Sequence, residues 1–414
     1  MLFSILSSYG FGLLIQRYRQ HGRLAKAFVI LSIATSLALL GFFKYSAFLA
    51  DIMRAIPLFS NLPAPVVPLP IGISFYIFQT MSYTIDVYRG DTDAQRNVVA
   101  YGAYVSLFPQ LIAGPIVRYK DVAAQLIERH ENAVQFTEGI RLFVVGLAKK
   151  VLLANPMGLL WDGLRASPQP GLAGAWLGAA AFTLQIYFDF SGYSHMARGL
   201  GKFFGFEFME NFNYPYISRS ISEFWRRWHI SLSTWFRDYV YIPLGGNRRG
   251  LGRTILNLLI VWFLTGLWHG ANYNYILWGL YYFALLALEK LFLKKWLDRA
   301  PAGIAHGYSL LCILLGWMLF YFEDLGQLRL YLTSMFTYQG SLLSPHAGYL
   351  ALSYLPLLLA GIVASTPLGR TLYAKIPTGR CAAAAEFTLC SLTLLLCVAA
   401  LVSQSYNPFL YFRF

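Results

Sequence analysis

Long apolar stretches joined by short polar segments set the pattern of this chain. Uncharged runs cover residues 55–85, 97–117, 166–188, 255–288 (counting His269 as neutral), 300–322, 330–369 and 387–412. About 20 apolar residues cross a hydrocarbon core as a helix, so the longest runs each hold a helical hairpin. With 28–43 and the N-terminal stretch, this predicts roughly nine to eleven spans or half-spans. Alternating barrel strands would interleave polar residues through these runs, which leaves helices. The predicted class is all-α, a polytopic integral membrane protein. Pro68, Pro70, Pro109, Pro115 and Pro156 lie in the apolar stretches and predict kinked or interrupted helices around an enclosed cavity.

Composition agrees with that pattern. Of 414 residues, 57% are hydrophobic and 13% charged, and the mean hydropathy is +0.51. Too few charges are present to cover the surfaces of a soluble enzyme. The net charge of +14 reads as positive-inside bias, with no nucleic-acid partner. Basic clusters at 17–26, 219–253, 290–299 and 370–380 orient the spans if all four face the cytoplasm. Run 255–288 then goes out and returns, with Gly270-Ala271-Asn272 as its break, and Glu323-Asp324 lies outside. Between Asp86 and Lys150 both signs mix and fix no orientation. The N-terminus is apolar before it is basic, the reverse of a signal peptide, and reads as a membrane anchor or the remnant of a span. Cys312, Cys381, Cys390 and Cys397 form no CxxC pair. They suggest packing residues, not a disulfide framework or a metal site. No repeat or linker divides the chain, so a single domain over 1–414 is expected.

One segment is neither span nor ordinary loop. In EFWRRWHISLSTWFRDYVYIPLGG, Trp225, Trp228, Leu232, Trp235, Phe236 and Tyr239 fall on one face of a helical wheel. Arg226, Arg227, Thr234, Arg237 and Asp238 fall on the other. This predicts an amphipathic helix in the membrane interface, ended by Pro243 and Gly245-Gly246, with His229 near the edge of the aromatic face.

The chemistry centres on His269, about fourteen residues into an uncharged run and thus about 20 Å from the cytoplasmic boundary. An ionisable side chain past the middle of the core usually faces a cavity or pathway, and a neutral imidazole there serves as a general base. A structural histidine bonded between helices is the bland alternative. Asp189 closes another apolar run, where it pairs with a histidine or arginine or caps a following helix at Ser191-Gly192. His195 and Glu223 are weaker candidates of the same kind. His21, His130, His306 and His346 lie in or near polar loops and read as solvated. The chain has no GxSxG, P-loop, HExxH or paired CxxC. A basic, aromatic cytoplasmic surface beside a buried histidine suits a phosphate-bearing acyl donor. A transporter with a proton-relay histidine shares these features.

The strings PLPIGISFYIFQTMSYTIDVYRGD, FPQLIAGPIVRYKD, YFDFSGYSHMARGLG, ENFNYPYISRSISEFWRRWHISLSTWFRDYVYIPLGGNRRG and LTGLWHGANYNYILWG resemble the membrane-bound O-acyltransferase (MBOAT) family, in its bacterial alginate O-acetylation branch. The likeness runs over about 41–289. It implies a ring of tilted and broken helices around a central catalytic tunnel. It also implies His269 as catalytic base and His229 as the second catalytic position. A donor surface at Arg226, Arg227, Arg237 and Trp228 is expected, with Asp189, Asn272 and Glu223 as polar residues of the tunnel. The resemblance implies acetyl-CoA or another acyl thioester as co-substrate, without a bound cofactor or metal. The acceptor would be an exported polysaccharide such as alginate, reached through periplasmic partner proteins, at the bacterial inner membrane. D-alanyl transfer towards teichoic acid, a polysaccharide or lipid-intermediate transporter, and a non-catalytic export scaffold are the competing readings. Members of this branch usually carry an extra hydrophobic stretch at the N-terminus, so one or two spans fewer are expected here.

Overall fold

A computed structural model describes residues 1–63, 65, 67–111, 114–129, 131–338, 340–377, 379–403 and 408–410. Seven helices are long and apolar enough to cross a membrane. They are α2 (Gly22–Arg54), α5 (Ala133–Ala166), α9 (Gly250–His269), α10 (Tyr273–Leu297), α11 (Ala302–Tyr321), α13 (Pro345–Ala364) and α14 (Arg380–Ser403). Against them pack α1 (Leu2–Arg17), α3 (Ile73–Arg89) and α6 (Leu172–Phe203), in keeping with the number of spans expected. Shorter helices are α4 (Tyr119–Ile127), α7 (Ile221–Arg227), α8 (Ile230–Phe236) and α12 (Leu325–Phe336).

The central element is α6, which packs on α5, α11, α12 and α13. Its join to α5 depends on two facing glycine pairs. A Cβ on Gly199 would stand 2.6 Å from the Gly139 carbonyl oxygen, and one on Gly146 would stand 2.6 Å from that of Gly192. In lipid, where tails are as apolar as Leu, such backbone-close contact is what drives helices together. The second organising helix is α3, buried along most of its length between α1 and α2.

Three long helices contain a π-turn: Gly41–Tyr45 in α2, Lys149–Ala154 in α5 and Glu289–Leu293 in α10. Each wider turn carries one charged side chain inward. Lys150 and Glu289 are buried, and Lys44 is half-buried. Pro156 follows directly on the α5 π-turn, which relieves the clash its ring would make in a regular helix.

Pair contacts link the basic clusters along one face. The Arg19 guanidinium donates to the Val87 carbonyl at 2.6 Å, and Arg89 donates to the Asp238 carbonyl at 3.1 Å. Arg118 bridges Asp121 at 2.8 Å and Asp238 at 2.9 Å. Gln125 of α4 accepts from the Glu207 N–H at 3.1 Å, and Lys202 joins Glu207 to Glu138. Arg141 in turn reaches Glu386 and Tyr373. The segment whose orientation composition left open therefore ends on the same basic face as the clusters at 17–26, 219–253 and 370–380. The hairpin of α9 and α10 breaks at 270–272, as expected.

The interfacial helix is corrected. It is not continuous: α7 stops at Arg227, His229 adopts a left-handed conformation (φ 45°), and α8 starts at Ile230. The loop at 211–213 supplies the reason. Asn213 N–H bonds the Arg227 carbonyl at 2.9 Å, and Ile230 N–H bonds the Asn211 carbonyl at 3.0 Å, so tertiary bonds replace helical ones. All six residues of the aromatic face are buried within the protein and not in lipid. The expected helix break after Asp189 is also absent, since α6 runs unbroken through Ser191-Gly192.

Candidate active site

The last residue of α9 is His269, about 28 Å along the helix from its start beside the basic segment 248–253. Its ring meets Trp278 edge-on at 4.9 Å between centroids and Phe320 at 5.2 Å. Among the described residues no side chain or backbone group hydrogen-bonds its nitrogens. His269 lines a narrow cavity of about 30 Å³, walled also by Trp228, Trp317, Phe190 and Leu410. That volume holds a water or a small reacting group. Gly270 admits the wall behind it, because a Cβ there would come 2.2 Å from the Tyr275 ring, which itself packs on Phe320.

Near it, His229 lies buried with its ring edge-on to Phe190 at 4.8 Å, and 6.1 Å from Trp268. Its Nδ1 is 3.2 Å from Asn211 Oδ1. That oxygen also accepts from the Ser231 backbone N–H at 3.1 Å and the Ser231 hydroxyl at 2.9 Å. A backbone N–H can only donate, so the Asn211 oxygen is correctly oriented and His229 carries its proton on Nδ1. Nε2 is then left as a buried acceptor with no partner among the described residues. A non-glycine residue held at positive φ costs of order 1–3 kcal/mol and clusters at functional sites.

Asp189 lines the same cavity. Its partner is a lysine in place of the expected histidine or arginine: it forms a buried ion pair with Lys150, and it accepts from the Leu410 backbone N–H at 2.7 Å. Lys150 also reaches the Pro408 carbonyl at 3.2 Å. The segment 408–410 is thus tied beside His269.

A second space of about 260 Å³ opens between α7, α8 and α9. Leu258, Trp262 and Thr265 form one stripe along α9 that ends at His269, and Arg226 and Arg237 line the same space. Trp225 and Trp262 pack on Trp278 at 5.6 and 6.1 Å, forming an aromatic partition between this slot and the cavity at His269.

The structure sorts the expected site residues into three places. His269, Trp228 and Asp189 meet at the cavity, with His229 against its Phe190 wall. Arg226 and Arg237 line the slot. Arg227 and Glu223 pair with each other at 2.9 Å, and Arg227 also donates to the Asn213 carbonyl. Glu223 borders a polar pocket of the basic face with Arg219 and Lys294. Asn272 caps α10, accepting from the Asn274 N–H at 3.4 Å. His195 bonds the Ser191 carbonyl one turn earlier, at 2.7 Å. His21 and His346 are exposed, His306 sits 3.2 Å from the Ser218 carbonyl, and His130 lies outside the described residues. The residues not foreseen are Asn211, Lys44 and Lys150. Lys44 carried a signal, as a single charge within an apolar stretch, which in a membrane marks a partnered or functional group; Lys150 stands next to Lys149 and was less distinct.

Residues 93–301 match the model of the membrane-bound O-acyltransferase family, MBOAT. The probable alginate O-acetylase of Pseudomonas putida is 41% identical over 99% of this chain and 89% of its own length. The peptidoglycan O-acetyltransferase of Helicobacter pylori is 32% identical over 78% of this chain and 67% of its own. The teichoic acid D-alanyltransferase of Bacillus subtilis is 29% identical over 55% and 60% respectively. A multi-pass helical protein with a deep histidine beside a slot that opens on its basic face, matched over its whole length by such a relative, belongs to the membrane-bound O-acyltransferase family.

Proposed function

We propose that this enzyme moves an acetyl group from a cytoplasmic thioester, acetyl-CoA, to hydroxyls of an exported polysaccharide of the alginate class. The donor enters the slot beside Arg226 and Arg237, which offer guanidinium forks to its phosphates. Its acyl end passes the tryptophan partition to His269. An acceptor hydroxyl in the cavity gives its proton to the imidazole as its oxygen bonds the thioester carbonyl carbon. The C–S bond then breaks, and the imidazolium returns the proton to the departing thiolate. His229 Nε2, aimed as an acceptor, holds the hydroxyl or a bridging water in line.

The observation that carries this reading is the placement of His269, whose nitrogens have no partner among the described residues, in a cavity separated only by the tryptophan partition from a slot lined by Arg226 and Arg237. The likeness to an alginate O-acetylase over nearly the whole chain supports the acceptor class. Periplasmic partner proteins complete delivery to the polymer, and the inner membrane is the site of action.

The test is the O-acetyl content of secreted polysaccharide in a deletion strain complemented with this chain or with His269→Ala, membrane levels being matched. Wild-type restoration with loss in the variant is the expected result. Restoration by both removes His269 from the chemistry.

A further inference from the structure

Among the described residues no hydrogen bond fixes the orientation of the His269 imidazole, although catalytic histidines are commonly held by a bond to the second ring nitrogen. Its placement therefore comes from the backbone of the last turn of α9, where three carbonyls lack helical partners because the chain turns back at 270–272. At this depth no bulk water satisfies them. All three are met by one π-turn of α2. Tyr45 Oη donates to the Leu267 carbonyl, and Lys44 Nζ donates to the carbonyls of Trp268 and, at 3.1 Å, His269. The third Lys44 proton goes to Ser74 Oγ at 3.2 Å, while Trp268 Nε1 donates to the Ser74 carbonyl at 3.2 Å. The ammonium has three donors and all three are used.

We propose that Lys44, with Tyr45, is the positioning residue that sets His269 against the reacting hydroxyl. This rests on the reading of His269 as general base. The charge also suits the place, since a cation at a helix C-terminus meets the negative end of the dipole. Lys44 touches neither slot nor cavity, so donor binding is separable from its effect.

The experiment uses the full-length protein in membrane vesicles, with labelled acetyl-CoA as donor and alginate oligosaccharide as acceptor. Rates are normalised to the monodisperse fraction recovered in detergent. A displacement of about 1 Å costs a reaction on the order of 10²-fold, so Lys44→Met is expected to lower kcat by about 10- to 100-fold. The acetyl-CoA concentration at half saturation should stay within about two-fold, since the slot is built by other helices. Lys44→Arg should recover part of kcat. Tyr45→Phe, which keeps the ring and removes one bond, should lose about three- to ten-fold in kcat.

A merely structural role would lower the recovered fraction and leave kcat per folded molecule unchanged. That outcome in both Lys44→Met and Tyr45→Phe overturns the proposal. Should Lys44→Met fail to accumulate, Tyr45→Phe decides alone. His269→Ala runs in parallel: if it keeps activity the general-base reading fails first, and if it is inactive beside normal Lys44 and Tyr45 variants only the positioning role fails.

Discussion

Asn211 Oδ1 receives three donors at once, and the most distant of them, His229 Nδ1 at 3.2 Å, is the one that fixes a tautomer. The same loop supplies the two backbone bonds that split the aromatic segment at His229. The backbone of this loop therefore bends the chain while the Asn211 side chain aims the ring. Asn211→Ala leaves the Ser231 N–H and hydroxyl without that acceptor and frees the imidazole to turn. The expected outcome is a stability loss of about 1–3 kcal/mol together with a fall in transfer that exceeds the loss of folded protein. Acetyl transfer per folded molecule, read beside thermal unfolding in detergent, checks it; unchanged specific activity would deny Asn211 an orienting role.

The buried pair of Lys150 and Asp189 joins α5 to α6 and holds the segment 408–410 at the cavity wall. Removing one member leaves the other charge buried, at a cost of about 3–5 kcal/mol. Lys150→Met and Asp189→Leu should each reduce the amount of folded protein sharply. The double variant should regain much of it, because an apolar pair of similar volume replaces a costly ionic one. Yield and unfolding temperature of the three variants test this, and additive losses would mean that the pair is not coupled.

The three arginines expected to bind the donor separate by their partners. Arg226 is exposed and lines the slot without an acidic partner among the described residues, Arg237 lines it while paired to the adjacent Asp238, and Arg227 is tied to Glu223. Charge reversal at Arg226 should raise the half-saturating acetyl-CoA concentration several-fold at constant protein level, and more at low salt. Reversal at Arg227 sets like charges beside Glu223 and should act on stability first. A titration of donor at two ionic strengths, with levels measured, distinguishes the two. Equal donor dependence in wild type and Arg226→Glu would remove the slot arginine from recognition.

The parts legible in the sequence are those written in runs. The uncharged stretch 255–288 shows a hairpin, its Gly270-Ala271-Asn272 the turn, and the depth of His269 follows by counting residues. The aromatic face of 225–239 was equally plain, and all six of its members are buried. What sequence could not show is the break within that face. Periodicity at 100° per residue continues through His229, while the bonds that interrupt the helix come from residues 211 and 213. The π-turns were hidden for a related reason, since one inserted residue barely disturbs a hydropathy pattern. Yet they decide which way Lys44, Lys150 and Glu289 point. Asp189 drew notice as an isolated acid; its lysine lies 39 positions away and only the packing of α5 on α6 joins them.

The glycine after His269 offers the last test. A Cβ at Gly270 would come 2.2 Å from the Tyr275 ring, and that ring packs on Phe320 at 5.2 Å between centroids. Phe320 in turn stands 5.2 Å from His269 and walls the cavity. Gly270→Ala must therefore push Tyr275 and Phe320 toward the imidazole, and overpacking of this kind costs about 1–3 kcal/mol. Transfer should fall by more than about ten-fold, because the cavity has little space to lose and the reacting groups shift together. Adding Tyr275→Ala makes room for the new methyl and should restore part of the activity, although Tyr275→Ala alone is itself destabilising. Such a recovery, read as acetyl transfer per folded molecule, would show that Gly270 is required for space. A Gly270→Ala protein as inactive with Tyr275→Ala as without it would show that room beside the Tyr275 ring is not what Gly270 supplies.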